Sequence, residues 1–168
     1  VICLYRLYLT PAIEPHKQVI EFLSWVNENS LFCAYSTTYA CMLFSNKIKQ
    51  PKVSTKDTFE SNLEKCSNQA CDLTYLSICN TLYSKETDKD TNYLFGTMDT
   101  DLKKIFKNTH DTSTNIFTRF FGESKGSEIQ MHYESIISNR RRPNMSISII
   151  NEVLAREKIK FADISNHP

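Results

Sequence analysis

From Phe59 onward, apolar side chains recur at spacings of mostly three and four: Phe59, Leu63, Cys66, Ala70, Leu73, Leu76, Cys79, and then Leu82 or Tyr83. That period draws one stripe along an α-helix. It cannot lie on one face of a strand, where side chains alternate from residue to residue. A helix from Ser54 to Tyr83, opened by Ser54 and Asp57 as a capping pair, needs other helices to cover its stripe. Three glycines in 168 residues point the same way, because tight strand turns and phosphate-cradling loops draw on glycine. The expected fold class is all-α, an irregular helical bundle or helix-pair array of about six to seven helices.

The rest of the chain supplies those partners. Val1 to Leu9 reads as a buried helical turn or short strand, ended by Thr10 and Pro11. Pro15 opens an amphipathic helix to Asn29, with Val19, Ile20, Leu23 and Val26 inward and Phe22 and Trp25 at the edges. Ser30 is placed to cap a helix reaching Lys47. No charge occurs between Leu31 and Phe44, so this is the expected central helix. Residues 85–92 carry no apolar side chain and are expected to be a solvated loop. They divide a single helical domain, 1–168, into stretches 1–84 and 93–168.

Beyond that loop the pieces are shorter. Asp99–Asn108 turns Leu102, Ile105 and Phe106 inward, and Ser113–Phe121 ends at Gly122, where a left-handed helix end belongs. Ser127–Asn139 is a further helix. Ser146 caps Ser146–Lys158, with Met145 and Ile150 as a hydrophobic staple. In that last helix Ile147, Ile150, Val153 and Leu154 are expected to be buried, with Glu152 and Arg156 paired on the surface. Tyr133 to Lys158 resembles the final helical hairpin of retrotransposon capsid proteins: a Tyr-Glu-Ser-Ile-Ile run, a basic turn and a serine-capped helix. No site, activity or partner is carried over from that likeness.

Converging chemistry is absent from the pattern. His110 and Asp111 are adjacent, whereas a base and its orienting carboxylate normally come from distant positions. Cys66 and Cys71 lie five apart and Cys33 and Cys41 eight apart, wider than zinc-ligand pairs. No metal, no cofactor and no enzymatic activity are expected. Two of the six cysteines, Cys66 and Cys79, sit on the apolar stripe, where a reduced thiol behaves as a small hydrophobe. Reduced thiols and an intracellular location, cytoplasmic or nuclear, are therefore expected. A secreted, disulfide-tied helical factor is the minority reading. No window is long and apolar enough for a membrane span.

Two surfaces are candidates for binding. Ile116, Phe117, Phe120 and Phe121 cover too wide an arc of one short helix for a single neighbour, so Phe117 and Phe121 are expected to face a protein partner. Trp25, the single tryptophan, is core or a third anchor for such a partner. Arg140, Arg141 and Arg142 stand in a turn, where with Lys103, Lys104 and Lys107 they would meet phosphates or acidic side chains. A net charge of +1 permits a basic face without requiring one. The function expected is a non-enzymatic helical protein–protein interaction or scaffolding module of a larger assembly. The alternative is a nucleic-acid- or phosphate-binding helical domain using Arg140 to Arg142.

Overall fold

The uncharged stretch does become the centre of the molecule. In a computed structural model, which describes residues 1–10, 12–85, 96–138, 140 and 146–166, it forms a helix whose last seven residues, Thr38 to Phe44, are all buried. Seven helices and no strand occur among the described residues: α1 (Ile2–Tyr8), α2 (Pro15–Asn29), α3 (Ala34–Phe44), α4 (Phe59–Lys85), α5 (Thr100–His110), α6 (Ile116–Ser138) and α7 (Ile147–Asn166). A short helix carrying Tyr35, Tyr39, Met42 and Phe44 with no charge has nothing to offer water, so α2, α4, α5 and α6 surround it. Cys3, Leu4 and Leu7 of α1 form a second buried layer, on which α2, α4 and α7 pack. The all-α class is thus observed.

Capping chemistry moves several boundaries. Ser54 does not open α4. It is bonded to Asn62, whose amide donates to the Ser54 carbonyl at 3.0 Å. The helix instead starts behind Thr58, whose hydroxyl accepts from Ser61 N at 3.2 Å. Asp57, expected to cap, pairs with Lys65 at 2.7 Å. Ser30 ends α2 rather than starting α3, its amide donating to the Val26 carbonyl. Other expected caps form: Asp99 accepts from the amides of Asp101 and Leu102, and Ser146 from that of Ile149. Phe22 lies in the core and not at an edge, while Phe106, expected inside, is partly exposed.

The fold of α6 turns on two glycines. Gly122 has φ +75° and ψ 172°, backbone that a side chain strongly disfavours, and it kinks the helix where the sequence placed an end. Four residues on, a Cβ on Gly126 would stand 2.5 Å from Thr118 Cα, so the second segment lies directly on the first.

Candidate functional site

The inward face of α7 differs from the expected one. Val153, Glu157 and Phe161 are buried, spaced four apart, while Ile147 and Ile150 face water. A glutamate therefore sits in the middle of an apolar stripe, 1% exposed. An isolated buried carboxylate is costly, and the neighbouring helices supply its donors. Arg6 Nε donates to Oε2 at 2.8 Å, and the Trp25 indole N–H donates to Oε1 at 3.0 Å. Lys160 adds a longer contact of 3.3 Å from its own helix. With both oxygens engaged by α1, α2 and α7, Glu157 acts as a clamp and not as a base. Trp25 is half-buried with its N–H turned inward to that clamp. Sequence reasoning missed Glu157. The available signal was its position midway between Val153 and Phe161 at helical spacing.

A polar seam joins α2 to α6. Lys17 pairs with Glu128, and the buried His16 has Nε2 3.3 Å from a Glu128 oxygen. Its Nδ1 lies 3.3 Å from Glu14, without hydrogen-bond alignment. Ser24 Oγ and His132 Nε2 are 2.8 Å apart, the separation a nucleophile and its base would need. Ser24 nevertheless lies in the middle of α2, where the amides are bonded along the helix and cannot stabilise an oxyanion. His110 bonds to the Tyr35 hydroxyl at 2.8 Å, while Asp111 pairs with Arg119. The adjacent His110 and Asp111 thus serve different partners. No group of three metal-ligating side chains occurs among the described residues.

The residues singled out for binding are dispersed. Phe117 is 2% exposed, packed 5.7 Å from the Tyr133 ring. This corrects the expectation of an exposed Phe117. The wide aromatic arc is sheltered because α6 folds back on itself at Gly122 and also packs on α2 and α3. Phe121 is half-buried. Arg140 stacks its guanidinium 4.1 Å over Phe32 and donates to the Ser30 carbonyl at 2.6 Å, closing the C-terminal end of α2. Arg141 and Arg142, the Met145 staple and the loop 86–92 lie outside the described residues. Lys103 and Lys107 are exposed on α5, and Lys104 beside them pairs with Asp101. Among the described residues α6 packs chiefly on α2 and α3, and α7 on α1 and α4. Arg156 bonds to Asn29 and Glu152 to Ser148, so their expected pair is not made.

One of the exposed apolar surfaces among the described residues is the outer side of α4. Cys66, Leu73 and Leu76 face the core, and past Leu76 no described side chain of this helix is buried. On the outer side, Cys71, Tyr75, Ile78 and Leu82 follow one another at spacings of four, three and four. Tyr75 is 60% exposed, Ile78 51% and Leu82 45%. Asp72 is the single charged residue between 66 and 84. Three hydroxyls are turned back on the helix: Ser67, Ser77 and Thr81 each donate at 2.9 Å to the carbonyl four residues back. The outer side of α4 thus combines an apolar stripe with a nearly uncharged stretch and with hydroxyls bonded within the helix.

No family model, curated protein or solved structure matches this chain. No helix among the described residues is long and apolar enough to cross a membrane.

Proposed function

We propose that this chain is a helical interaction module that docks other protein through the outer face of α4. The observation that carries the reading is the exposed 4-3-4 stripe of Cys71, Tyr75, Ile78 and Leu82 on the part of α4, residues 66–84, whose one charged residue is Asp72. It replaces the aromatic face of α6, since Phe117 is committed to the core. A helix laying such a stripe against an apolar groove or another helix gains burial without leaving unpaired charge behind.

The test is affinity capture on the intact chain, compared with the Ile78→Glu/Leu82→Glu variant. Both positions are solvent-exposed, so circular dichroism and thermal melting should be unchanged. Loss of the captured protein by the variant supports the reading, and identical capture by both chains overturns it. Raising salt should leave capture through this face nearly intact. A phosphate contact through Lys103, Lys107 and the arginine run would weaken steeply instead.

A further inference from the structure

We propose that the cleft between the connection 48–52 and helices α1, α3, α4 and α5 is a binding site for a small organic ammonium ion, held by Asp72 and Asp99 with the phenols of Tyr5 and Tyr39 in its lining. The inference goes beyond the docking reading and does not depend on it. The cleft encloses about 330 Å³, within the range of small-molecule sites. Tyr39 donates to the Tyr5 oxygen at 3.4 Å, and no acceptor for the Tyr5 proton occurs among the described residues. A hydroxyl on a residue only 4% exposed thus keeps a proton and a lone pair for a guest. Leaving such a group half-satisfied is costly, and a guest in the cleft would complete its bonding. Asn68 and Gln69 of α4 line the same cleft, and neither side chain has a partner among the described residues.

The carboxylates fix the sign of the guest. Partial burial of Asp72, and after it the charge of Asp99 at the start of α5, push the Asp72 carboxyl above its ordinary value. Nearby lysines answer other groups: Lys65 turns to Asp57, while Lys104 and the Lys49 amide are bonded to Asp101. Asp72 is left without an ion pair among the described residues. An ammonium between Asp72 and Asp99 relieves their repulsion and gains charge-assisted hydrogen bonds. Ile48, Leu102 and Ile105 add apolar surface to the lining, so the guest carries a short aliphatic body. A bare inorganic cation would leave that surface and most of the volume unused. It would also lack the oxygen ligands it needs, since no group of three metal-ligating side chains converges among the described residues.

Titration of the intact chain with n-butylamine at neutral pH, followed through its amide chemical shifts by NMR, tests the site. Resonances of residues 68–72 and 99–102 should move together and saturate with a Kd on the order of 1 mM, as expected of so small a ligand. The neutral analogue n-butanol should produce no saturating shift in them. Asp72 is exposed, so Asp72→Asn should leave the rest of the spectrum in place while weakening n-butylamine about tenfold or more. Tyr5→Phe, which removes only the hydroxyl, should weaken it as well. Shifts that never saturate, or an unchanged affinity in Asp72→Asn, would overturn the site. Equal binding of n-butanol would defeat recognition by charge. The same shifts saturating at lower concentration with calcium chloride would overturn the organic ligand in favour of a metal ion.

Discussion

Replacing Glu157 by alanine should be among the most damaging single changes available in this chain. The side chain is almost fully enclosed, and its loss leaves the part-buried Arg6 guanidinium without a counter-charge and the Trp25 indole N–H without an acceptor. Breaking a buried ion pair from one side costs about 3–5 kcal/mol, and an orphaned indole donor roughly 1 kcal/mol more. Lys160 contributes little, because its ammonium is half exposed and its contact long. Against a total stability of order 10 kcal/mol this is a large fraction. At ~2–4 °C per kcal/mol for a chain of this size, Tm should fall by about 8–24 °C. Urea unfolding followed by Trp25 fluorescence is the assay, since the single tryptophan touches the perturbed carboxylate. The Arg6→Met/Glu157→Leu double variant removes both charges and fills the space, so it should be far less destabilised than the two single changes added together. A loss below about 1 kcal/mol for Glu157→Ala, or strict additivity in the double variant, would refute the clamp.

Gly126→Ala should destabilise by several kcal/mol, read from the urea midpoint, because its Cβ meets the Thr118 backbone at 2.5 Å and no side-chain rotation relieves it. Thiol labelling should divide the cysteines. Burial pushes Cys3 and Cys66 up to about 12 and Cys41 higher still, so all three stay inert in the folded protein. Cys71, exposed on the outer face of α4, should label first, as peptide mass mapping would record. Acid should weaken the fold through Asp111 and Glu128. The Ser113 hydroxyl and amide, followed by the Arg119 charge, hold Asp111 below its ordinary value, and a hydrogen bond from Lys17 does the same for Glu128. A carboxyl depressed in the folded state stabilises above the unfolded value near 4 and loses that stabilisation as pH falls through its folded value. Stability measured between about pH 5 and pH 2 should therefore decline, and less steeply in Asp111→Asn/Glu128→Gln.

Periodicity alone was enough to make this chain helical and to locate its centre. The 4-3 spacing from Phe59 and the uncharged run from Leu31 to Phe44 are local facts with one economical solution, and both are realised. Gly122 announced its break for the same reason, since a positive φ is a property of a single residue. The site was only partly legible. The stripe on α4 was read as one continuous inward face, but an apolar pattern cannot state how many sides of a helix find a neighbour. Packing covered Cys66, Leu73 and Leu76 and left Leu82 half exposed. Phe117 passed from supposed surface to core because a chain reversal at Gly122 brought α6 against itself, and Arg140 was drawn from a supposed phosphate site onto Phe32. The clamp at Glu157 joins residues 151 and 132 positions apart. Such a contact depends on which helices meet, and only the tertiary arrangement, by bringing Arg6 and Trp25 to one carboxylate, decides that its burial is tolerable.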